Sequence, residues 1–229
     1  MLLPKDVRRR GWAILGGTFD PIHNGHLALA KAVYEQIPVT QIRFMPALAP
    51  WQKAGRPISS AENRLTLVER AIQYVPYFQV DTRELRRSGP TYTIDTVKAL
   101  RDEVGPAFPL VWIIGGDQWT HFSSWHRWSE LLKYVHLAIV QREGHLNTPP
   151  ELQSFFNEHV QPKRNELTQA SGAIFTVDMP LHRASSTRIR EAFSQGKLAP
   201  VEHWLAPHCV ETVYQYHLYG TKLPKLGKL

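Results

Sequence analysis

Short apolar runs alternate along this chain with stretches of mixed polarity. Helical spacing of apolar residues marks three stretches, at residues 27–34, 65–72 and 93–104. Alternation of this kind predicts an α/β fold with a doubly wound parallel sheet and helices on both faces. Ligands of such folds bind beyond the carboxyl ends of the strands, where the strand order reverses. The runs that we interpret as buried strands are Trp12–Leu15, Ile42–Met45, Phe78–Val80, Leu110–Ile114, Leu137–Val140 and Ile174–Val177.

The rest of the chain fits a single domain of residues 1–229 with a core of about 12–219. The loop Pro46–Ser60 is rich in proline, glycine and alanine, so we expect it to be mobile and to act as a lid. The polar segment 143–172 is expected to hold a peripheral helix near 151–160. A C-terminal helical portion follows, in which Pro207 begins the last helix, and residues 221–229 are expected to form a flexible tail.

Composition and charge restrict the classes of function. The 27 basic and 20 acidic residues give a net charge of +7, which favours anionic partners such as nucleotides or nucleic acid. Cys209 is the only cysteine, which excludes an internal disulfide and a multi-cysteine metal site and suits a reducing compartment. The apolar run after the basic amino terminus is too short for a signal peptide, and no segment has membrane-spanning length. We therefore expect a cytoplasmic protein without a membrane partner.

The segment Gly16–His26 holds the clearest chemical signal, because it carries a strand into a glycine-rich turn and a helix. Its adjacent glycines allow a close approach of backbone to ligand, and the helix directs its free N–H groups to the same point. His23 and His26 lie on one side of the opening helical turn, where imidazoles can donate hydrogen bonds to phosphate oxygens. The Thr18 hydroxyl adds a neutral donor.

This turn matches neither the Walker lysine loop nor the dinucleotide glycine pattern. Two other interpretations of the histidine pair remain open. The pair could bind zinc, but no second cluster offers further ligands. Each histidine could also be a structural or surface residue. A second anion site is expected at Ser185–Arg190, where hydroxyl groups and arginines begin a helix after a strand, although serine here could be only a helix cap.

The turn resembles the H-x-G-H signature of the nucleotidylyltransferase superfamily, and Ser185–Arg190 resembles the second motif of that superfamily. From Ala13 to about Tyr219 the chain is similar to the bacterial nicotinate-nucleotide adenylyltransferases. The resemblance implies a Rossmann-like fold and the substrates ATP and nicotinate mononucleotide. It also implies Mg²⁺ carried by the ATP phosphates, with no metal held by the protein itself.

The resemblance also implies roles for individual residues. Tyr92 and Thr93 would meet the nicotinate carboxylate, Asp117 the ribose, and Trp125 the face of the pyridine ring. The implied catalytic residues are His23, His26 and Arg190. The implied ATP-binding residues are Gly16, Gly17, Thr18, Phe19, His23, His26, Gly115, Ser186, Thr187 and Arg190. Those for nicotinate mononucleotide are Thr18, Lys53, Tyr92, Thr93, Asp117, Trp125 and Arg142.

The chain departs from the family pattern at several positions. The lid pattern Pro-x-x-x-Pro-Pro-His-Lys has Trp51 and Gln52 in place of proline and histidine, but it retains Lys53. After the fifth predicted strand, where the family has Arg-Pro-Gly, this chain retains Arg142 but lacks the proline. Before the second motif, Ala184 stands where the family has isoleucine. These changes concern the contacts of the lid more than the chemistry.

The function implied by the resemblance is transfer of AMP from ATP to nicotinate mononucleotide, which gives deamido-NAD and pyrophosphate. The same chemistry on another acceptor, such as nicotinamide mononucleotide, phosphopantetheine or a sugar or polyol phosphate, is the first alternative. A non-catalytic module that binds nucleotides or nucleic acid is an alternative of a different class, suggested by the positive charge. With both phosphate elements intact, we expect the small-molecule substrates and no nucleic acid as partners. The sequence does not specify an oligomeric state.

Overall fold

A parallel sheet forms the centre of the protein. A computed structural model describes residues 8–48, 58–87, 89, 91–142, 146–162, 166–199 and 201–221. Every apolar run predicted to be a strand lies in the sheet, which confirms the α/β fold class. The strands are β1 (Trp12–Gly17), β2 (Gln41–Pro46), β3 (Phe78–Val80), β4 (Leu110–Gly115), β5 (His136–Arg142) and β6 (Ile174–Met179).

The strand order is β3-β2-β1-β4-β5-β6, and every pair is parallel. In the register, Leu15 of β1 lies opposite Phe44 of β2 on one side and Ile113 of β4 on the other. The chain runs outward from β1 to β3, returns to place β4 beside β1, and then continues outward on the other side. The order therefore reverses between β1 and β4, which is the place where ligands of doubly wound sheets bind.

The helices follow the predicted spacing. The helix predicted at 93–104 has the same bounds in the structure, and the peripheral helix expected near 151–160 is present. The short helix that follows β4 was not predicted, because four residues are too few to show a helical period. The helices are α1 (Asn24–Gln36), α2 (Ala61–Ile72), α3 (Thr93–Val104), α4 (Gly116–Trp119), α5 (Pro150–His159), α6 (Ser186–Gln195) and α7 (Pro207–Gln215).

Alternating strand residues divide the core into two layers. In β4, Val111 and Ile113 face one cluster of buried residues, whereas Trp112 and Ile114 face the other. Side chains of α1, α2, α6 and α7 complete the first cluster, and side chains of α3, α4 and α5 complete the second. Because helices cover both faces of the sheet, the central strands are continuous apolar runs, and such runs can be identified in the sequence.

One arginine closes the amino ends of β4, β5 and β6. Arg101, near the end of α3, donates to the carbonyl oxygens of Gly105, Phe108, Tyr134 and Ala170. These carbonyls lie in the loops that precede the three strands. Beside them, the His136 ring lies 3.0 Å from the carbonyl oxygen of Gln169 and accepts the N–H of Ala173 at 3.0 Å. The amino edge is thus closed by internal hydrogen bonds.

Most of the predicted lid and of the predicted tail lies outside the described residues. The parts outside are residues 49–57 of the lid and residues 222–229 of the tail. The single domain of residues 1–229 stays a prediction. Within the described part of the chain, no helix combines the length and apolarity needed to cross a bilayer.

Candidate active site

A cavity of about 790 Å³ opens at the carboxyl ends of β1 and β4. The predicted site residues that line it are Gly16, Gly17, Thr18, Phe19, His23, His26, Thr93, Gly115, Asp117, Trp125 and Ser186. The structure therefore brings most of the predicted residues together at the point where the strand order reverses.

The two glycines at the end of β1 make space for aromatic side chains. A Cβ atom on Gly16 would lie 2.9 Å from the Trp112 ring, and one on Gly17 would lie 3.0 Å from the Phe19 ring. The sequence interpretation had assigned these glycines only to a close approach of the ligand. Trp112, which lines the cavity, was not predicted as a site residue.

Side chains of α2 and α6 donate hydrogen bonds to the backbone of the turn that follows β1. Arg64 donates to the carbonyl oxygen of Thr18 at 2.7 Å, Arg190 to that of Asp20 at 2.6 Å, and Ser186 to that of Pro21 at 2.9 Å. Phe19, between the first two of these carbonyls, has φ of 51° and is 2% exposed. A left-handed backbone at a non-glycine residue is unfavourable, and these bonds stabilise the chain on either side of it.

The Asp20 carboxylate makes two further contacts with distant parts of the chain. It accepts the hydroxyl of Tyr219 at 2.9 Å and the backbone N–H of Ser59 at 3.4 Å. Burial, together with the Asp20 charge, raises the pKa of Tyr219, so that hydroxyl stays protonated and donates. The Asp20 carboxylate consequently links the turn to the chain that enters α2 and to the segment that follows α7.

The two histidines of the turn form a stacked pair. His23 is the N-cap of α1, and the Nδ1 atom of His26 accepts the backbone N–H of His23 at 3.2 Å. The ring centroids are 3.8 Å apart with an angle of 26° between the planes. Because Nδ1 of His26 is an acceptor, the ring hydrogen of neutral His26 lies on Nε2. That atom is the one through which His26 can donate to a ligand.

A third histidine, His182, approaches the same turn and was not predicted. A Cβ atom on Gly25 would lie 3.0 Å from the His23 ring and 3.4 Å from Nδ1 of His182. The Nδ1 atom of His182 accepts the N–H of Ala184 at 3.2 Å, which fixes the ring in the loop between β6 and α6. No local pattern in the sequence could have identified it, because its partners are distant in the chain.

The amino end of α6 differs from the prediction in its details. Ser185 is the N-cap but makes no capping bond with its side chain, and the Ser186 hydroxyl holds the turn after β1 instead. Arg190 and Thr187 do not line the cavity, and their side chains are in contact at 3.4 Å. Arg188, which lines it, belongs to the predicted anion site but was not among the predicted ATP-binding residues. The two arginines are two positions apart on a helix, so they lie on different sides of it.

Threonines and a buried carboxyl group form the opposite end of the cavity. Thr91, Thr93 and Glu84 all line it, and Glu84 accepts the Thr96 hydroxyl at 2.7 Å. Burial raises the pKa of Glu84. Tyr92 is the N-cap of α3, and its ring packs on His126 rather than lining the cavity.

Trp125 forms part of the same wall and is only 8% exposed. Its indole Nε1 and the Thr91 Oγ1 are buried without a hydrogen-bond partner among the described residues. Of the other tryptophans, Trp119 is fully buried and donates to Thr148, so it belongs to the core. Trp125 thus differs from Trp119 in reaching the cavity.

Two predicted residues cannot be located in the site. Lys53 lies outside the described residues, and Arg142 ends β5 with its side chain outside what the structure describes. Among the described residues, no group of three or more His, Cys, Asp or Glu side chains is arranged to hold a metal ion.

Comparisons with known proteins place the chain in a family. A family model described as cytidylyltransferase-like matches residues 14–192. A probable nicotinate-nucleotide adenylyltransferase from Pectobacterium atrosepticum is 42% identical over 80% of this chain and 87% of its own length. One from Yersinia pestis is 40% identical over 81% of this chain and 86% of its own length.

Solved structures share the fold. The Plasmodium falciparum nicotinic acid mononucleotide adenylyltransferase complexed with NaAD has a TM-score of 0.72, with 18% identity over 94% of this chain and 100% of that chain. The same enzyme complexed with APC has a TM-score of 0.70 at the same identity and coverage. Because relatives are 42% and 40% identical over 80% and 81% of this chain, the chain belongs to the nicotinate-nucleotide adenylyltransferase family.

Proposed function

We propose that this protein transfers the adenylyl group of ATP to nicotinate mononucleotide, giving deamido-NAD and pyrophosphate. The observation that carries the proposal is the stacked pair His23 and His26 beside the amino end of α6, at the point where the strand order reverses. Backbone N–H groups, imidazoles and hydroxyls converge there, and these groups bind phosphate oxygens. Family membership supports the reaction class.

In the proposed reaction, an oxygen of the acceptor phosphate attacks the α-phosphorus of ATP in line with the leaving pyrophosphate. A new P–O bond forms, the bond from the α-phosphorus to the bridging oxygen breaks, and its electrons leave with pyrophosphate. The acceptor phosphate is already ionised at neutral pH and needs no base. The protein therefore contributes alignment and stabilisation of developing charge.

The residues of the turn are assigned to ATP. His26 would donate through Nε2 to the transferring phosphoryl group, with His23 beside it. Gly16, Gly17, Thr18, Phe19 and Gly115 would shape the nucleotide site. At the amino end of α6, Ser186 and Arg188, which line the cavity, would contact the departing phosphates, whereas Thr187 and Arg190 would reach these phosphates only after a change of side-chain conformation.

The opposite end of the cavity is assigned to the acceptor. Thr93, in the first turn of α3, would bind the nicotinate carboxylate, with Tyr92 contributing as the residue that begins this helix. Asp117 would accept bonds from the ribose, and Trp125 would contact the pyridine ring. Thr18, Lys53 and Arg142 complete the proposed acceptor set.

We further propose Mg²⁺ as the metal that accompanies ATP, since ATP-dependent nucleotidyltransferases are generally metal-dependent. Mg²⁺ would neutralise charge on the phosphates when bound. Apart from the carboxyl groups of Asp117 and Glu84, the ionisable and hydroxyl groups around the cavity are imidazoles, guanidinium groups and hydroxyls, which suit phosphate oxygens more than Mg²⁺. The ion would therefore be held mainly through ATP phosphates and water. We propose the cytoplasm as the location, which suits the buried thiol of Cys209.

An assay of pyrophosphate release tests this function directly. Purified protein is given ATP and Mg²⁺ with nicotinate mononucleotide, nicotinamide mononucleotide or phosphopantetheine in parallel. We expect the highest kcat/KM with nicotinate mononucleotide, and loss of activity in EDTA that Mg²⁺ restores. Preference for another acceptor would contradict the substrate. The absence of pyrophosphate release with any acceptor, combined with salt-sensitive binding to nucleic acid, would contradict the function itself.

A further inference from the structure

Arg64 of α2 is a buried charged side chain that no motif of the sequence identified. It is 1% exposed, and its guanidinium donates to the carbonyl oxygens of Thr18 at 2.7 Å, Ser59 at 3.1 Å and Leu48 at 3.3 Å. Within the described residues it has no carboxylate at salt-bridge distance. Burial lowers the pKa of Arg64, and the charge of Asp20 opposes this effect.

Burying a cation is unfavourable unless its donors are satisfied, so the position of Arg64 requires these carbonyl contacts. They bring together parts of the chain that are distant in sequence. Thr18 lies in the turn between β1 and α1, whereas Leu48 and Ser59 lie on either side of residues 49–57. Arg64 thereby fixes the turn relative to the chain that leaves β2 and the chain that enters α2.

The carbonyl groups of the turn are held from two sides. Arg190 and Ser186, which hold Asp20 and Pro21, come from α6, the helix assigned here to the phosphates of ATP. Arg64 comes from α2 and does not line the cavity that contains His23 and His26. It can therefore hold the turn without contacting substrate, whether or not a nucleotide occupies the site.

We propose that Arg64 is a positioning residue for adenylyl transfer, which holds the Thr18 carbonyl and so fixes the turn that presents His23 and His26. The proposal rests on the proposed function, because the turn is assigned there to the transferring phosphoryl group. Misplacement of a reacting group by about 1 Å can cost about 100-fold in rate, so a loss of this anchor is expected to appear in kcat.

The test compares Arg64→Met with Arg101→Met. Methionine keeps an apolar stem and removes the guanidinium in both cases. Both arginines bind backbone carbonyls, but Arg101 does so at the amino edge of the sheet, away from the cavity. Each variant is measured for its melting temperature, for kcat and KM with ATP and nicotinate mononucleotide, and for amide hydrogen exchange in peptides that cover residues 13–26.

We expect both variants to melt at lower temperature than the native protein. Only Arg64→Met should lower kcat, by about 10–100-fold, with much smaller changes in both KM values. Only Arg64→Met should speed exchange in residues 13–26. An Arg64→Met protein with native kcat and native exchange in this segment would overturn the proposal and leave Arg64 a purely structural residue.

Arg64→Lys covers the case in which Arg64→Met does not fold. An ammonium group can donate to the Thr18 carbonyl but lacks the planar fork that reaches three carbonyls, so we expect an intermediate kcat and intermediate exchange. An Arg64→Lys protein in which residues 13–26 exchange faster while kcat stays native would overturn the proposal, because a loosened turn would then have no effect on transfer. If the native protein releases no pyrophosphate, the proposed function fails, while the exchange measurement still decides whether Arg64 positions the turn.

Discussion

Arginines donate to backbone carbonyls at both the amino edge and the carboxyl edge of the sheet, where the strands begin and end, but the results differ. At the amino edge, Arg101 donates to backbone carbonyls of the loops that enter β4, β5 and β6, and the edge is closed. At the carboxyl edge, Arg64 also donates to backbone carbonyls, but the loops it joins surround a cavity of about 790 Å³. One arginine completes the fold, and the other supports a site.

This difference separates two arginines that make the same kind of hydrogen bond, the half-buried Arg101 and the buried Arg64. A buried polar side chain at the amino edge satisfies groups that would otherwise be unpaired, so its loss should change stability and leave activity intact. At the carboxyl edge the same loss also moves groups that face the cavity. Matched substitutions at the two edges therefore test whether activity and stability separate as the structure indicates.

The largest effect is expected from His26→Ala at the carboxyl edge. This change removes the ring that is stacked on His23 and proposed to donate to the transferring phosphoryl group. Loss of one such preorganised donor typically lowers kcat by about 10²–10³-fold. Pyrophosphate release under saturating substrates measures it. His208→Ala changes a half-buried histidine on α7 that does not line the cavity, so this control should retain native kcat. Near-native turnover of His26→Ala would remove His26 from the mechanism.

The next largest effect is expected from alanine at Gly16, with alanine at Gly105 as its control. In Gly16→Ala, the new Cβ atom would lie 2.9 Å from the buried Trp112 ring, and overpacking of this kind typically costs about 1–3 kcal/mol. We expect kcat to fall as well, because Gly16 leads into the histidine turn. In Gly105→Ala the Cβ atom would meet nothing within 4 Å, but φ is +78°. Because this backbone conformation is open almost only to glycine, the substitution should cost about 1–3 kcal/mol and lower the melting temperature alone. Equal kcat values for the two variants would contradict the comparison.

Trp125→Ala should give a smaller change, confined to one substrate. A contact between aromatic rings is worth about 0.5–1.5 kcal/mol, so the KM for nicotinate mononucleotide should rise about 2–10-fold while the KM for ATP changes little. Trp128→Ala is the matched control, since Trp128 packs on Phe122 and Phe155 and does not line the cavity. It should lose stability with both KM values retained. A parallel rise of both KM values in Trp125→Ala would argue against the ring contact.

Local patterns predicted much of the fold and part of the site. Both faces of the sheet are covered, so each central strand is a continuous apolar run that can be identified in the sequence. The spacing of His23 and His26 predicted that the two rings lie together, because residues three positions apart on a helix are neighbours on its surface. In both cases the controlling interactions lie within a few residues of each other.

Contacts between distant segments could not be predicted in this way. The bond from Arg64 to Thr18 joins residues 46 positions apart, and the bond from Arg190 to Asp20 joins residues 170 positions apart. The approach of His182 to Gly25 depends equally on the packing of α6 against the turn. Composition and spacing reveal which groups could bind phosphate, whereas the identification of Arg188 as the arginine of α6 that lines the cavity required the tertiary structure.

The smallest effect is expected at the amino edge, in the pH dependence of stability. His136 is 2% exposed, its Nδ1 accepts the Ala173 N–H, and its Nε2 therefore donates to the Gln169 carbonyl. Burial, with Arg101 nearby, lowers the pKa of His136, although the Gln169 bond opposes this. Since the unfolded chain takes up this proton near pH 6.5, the stabilising contribution is complete above about pH 6.5 and is lost as pH falls toward the folded-state pKa. Denaturation midpoints between neutral and mildly acidic pH should fall more steeply for the native protein than for His136→Gln. Because the ring is distant from the cavity, kcat at neutral pH should be the same for both proteins, and parallel stability curves would show that the proton of His136 is not linked to folding.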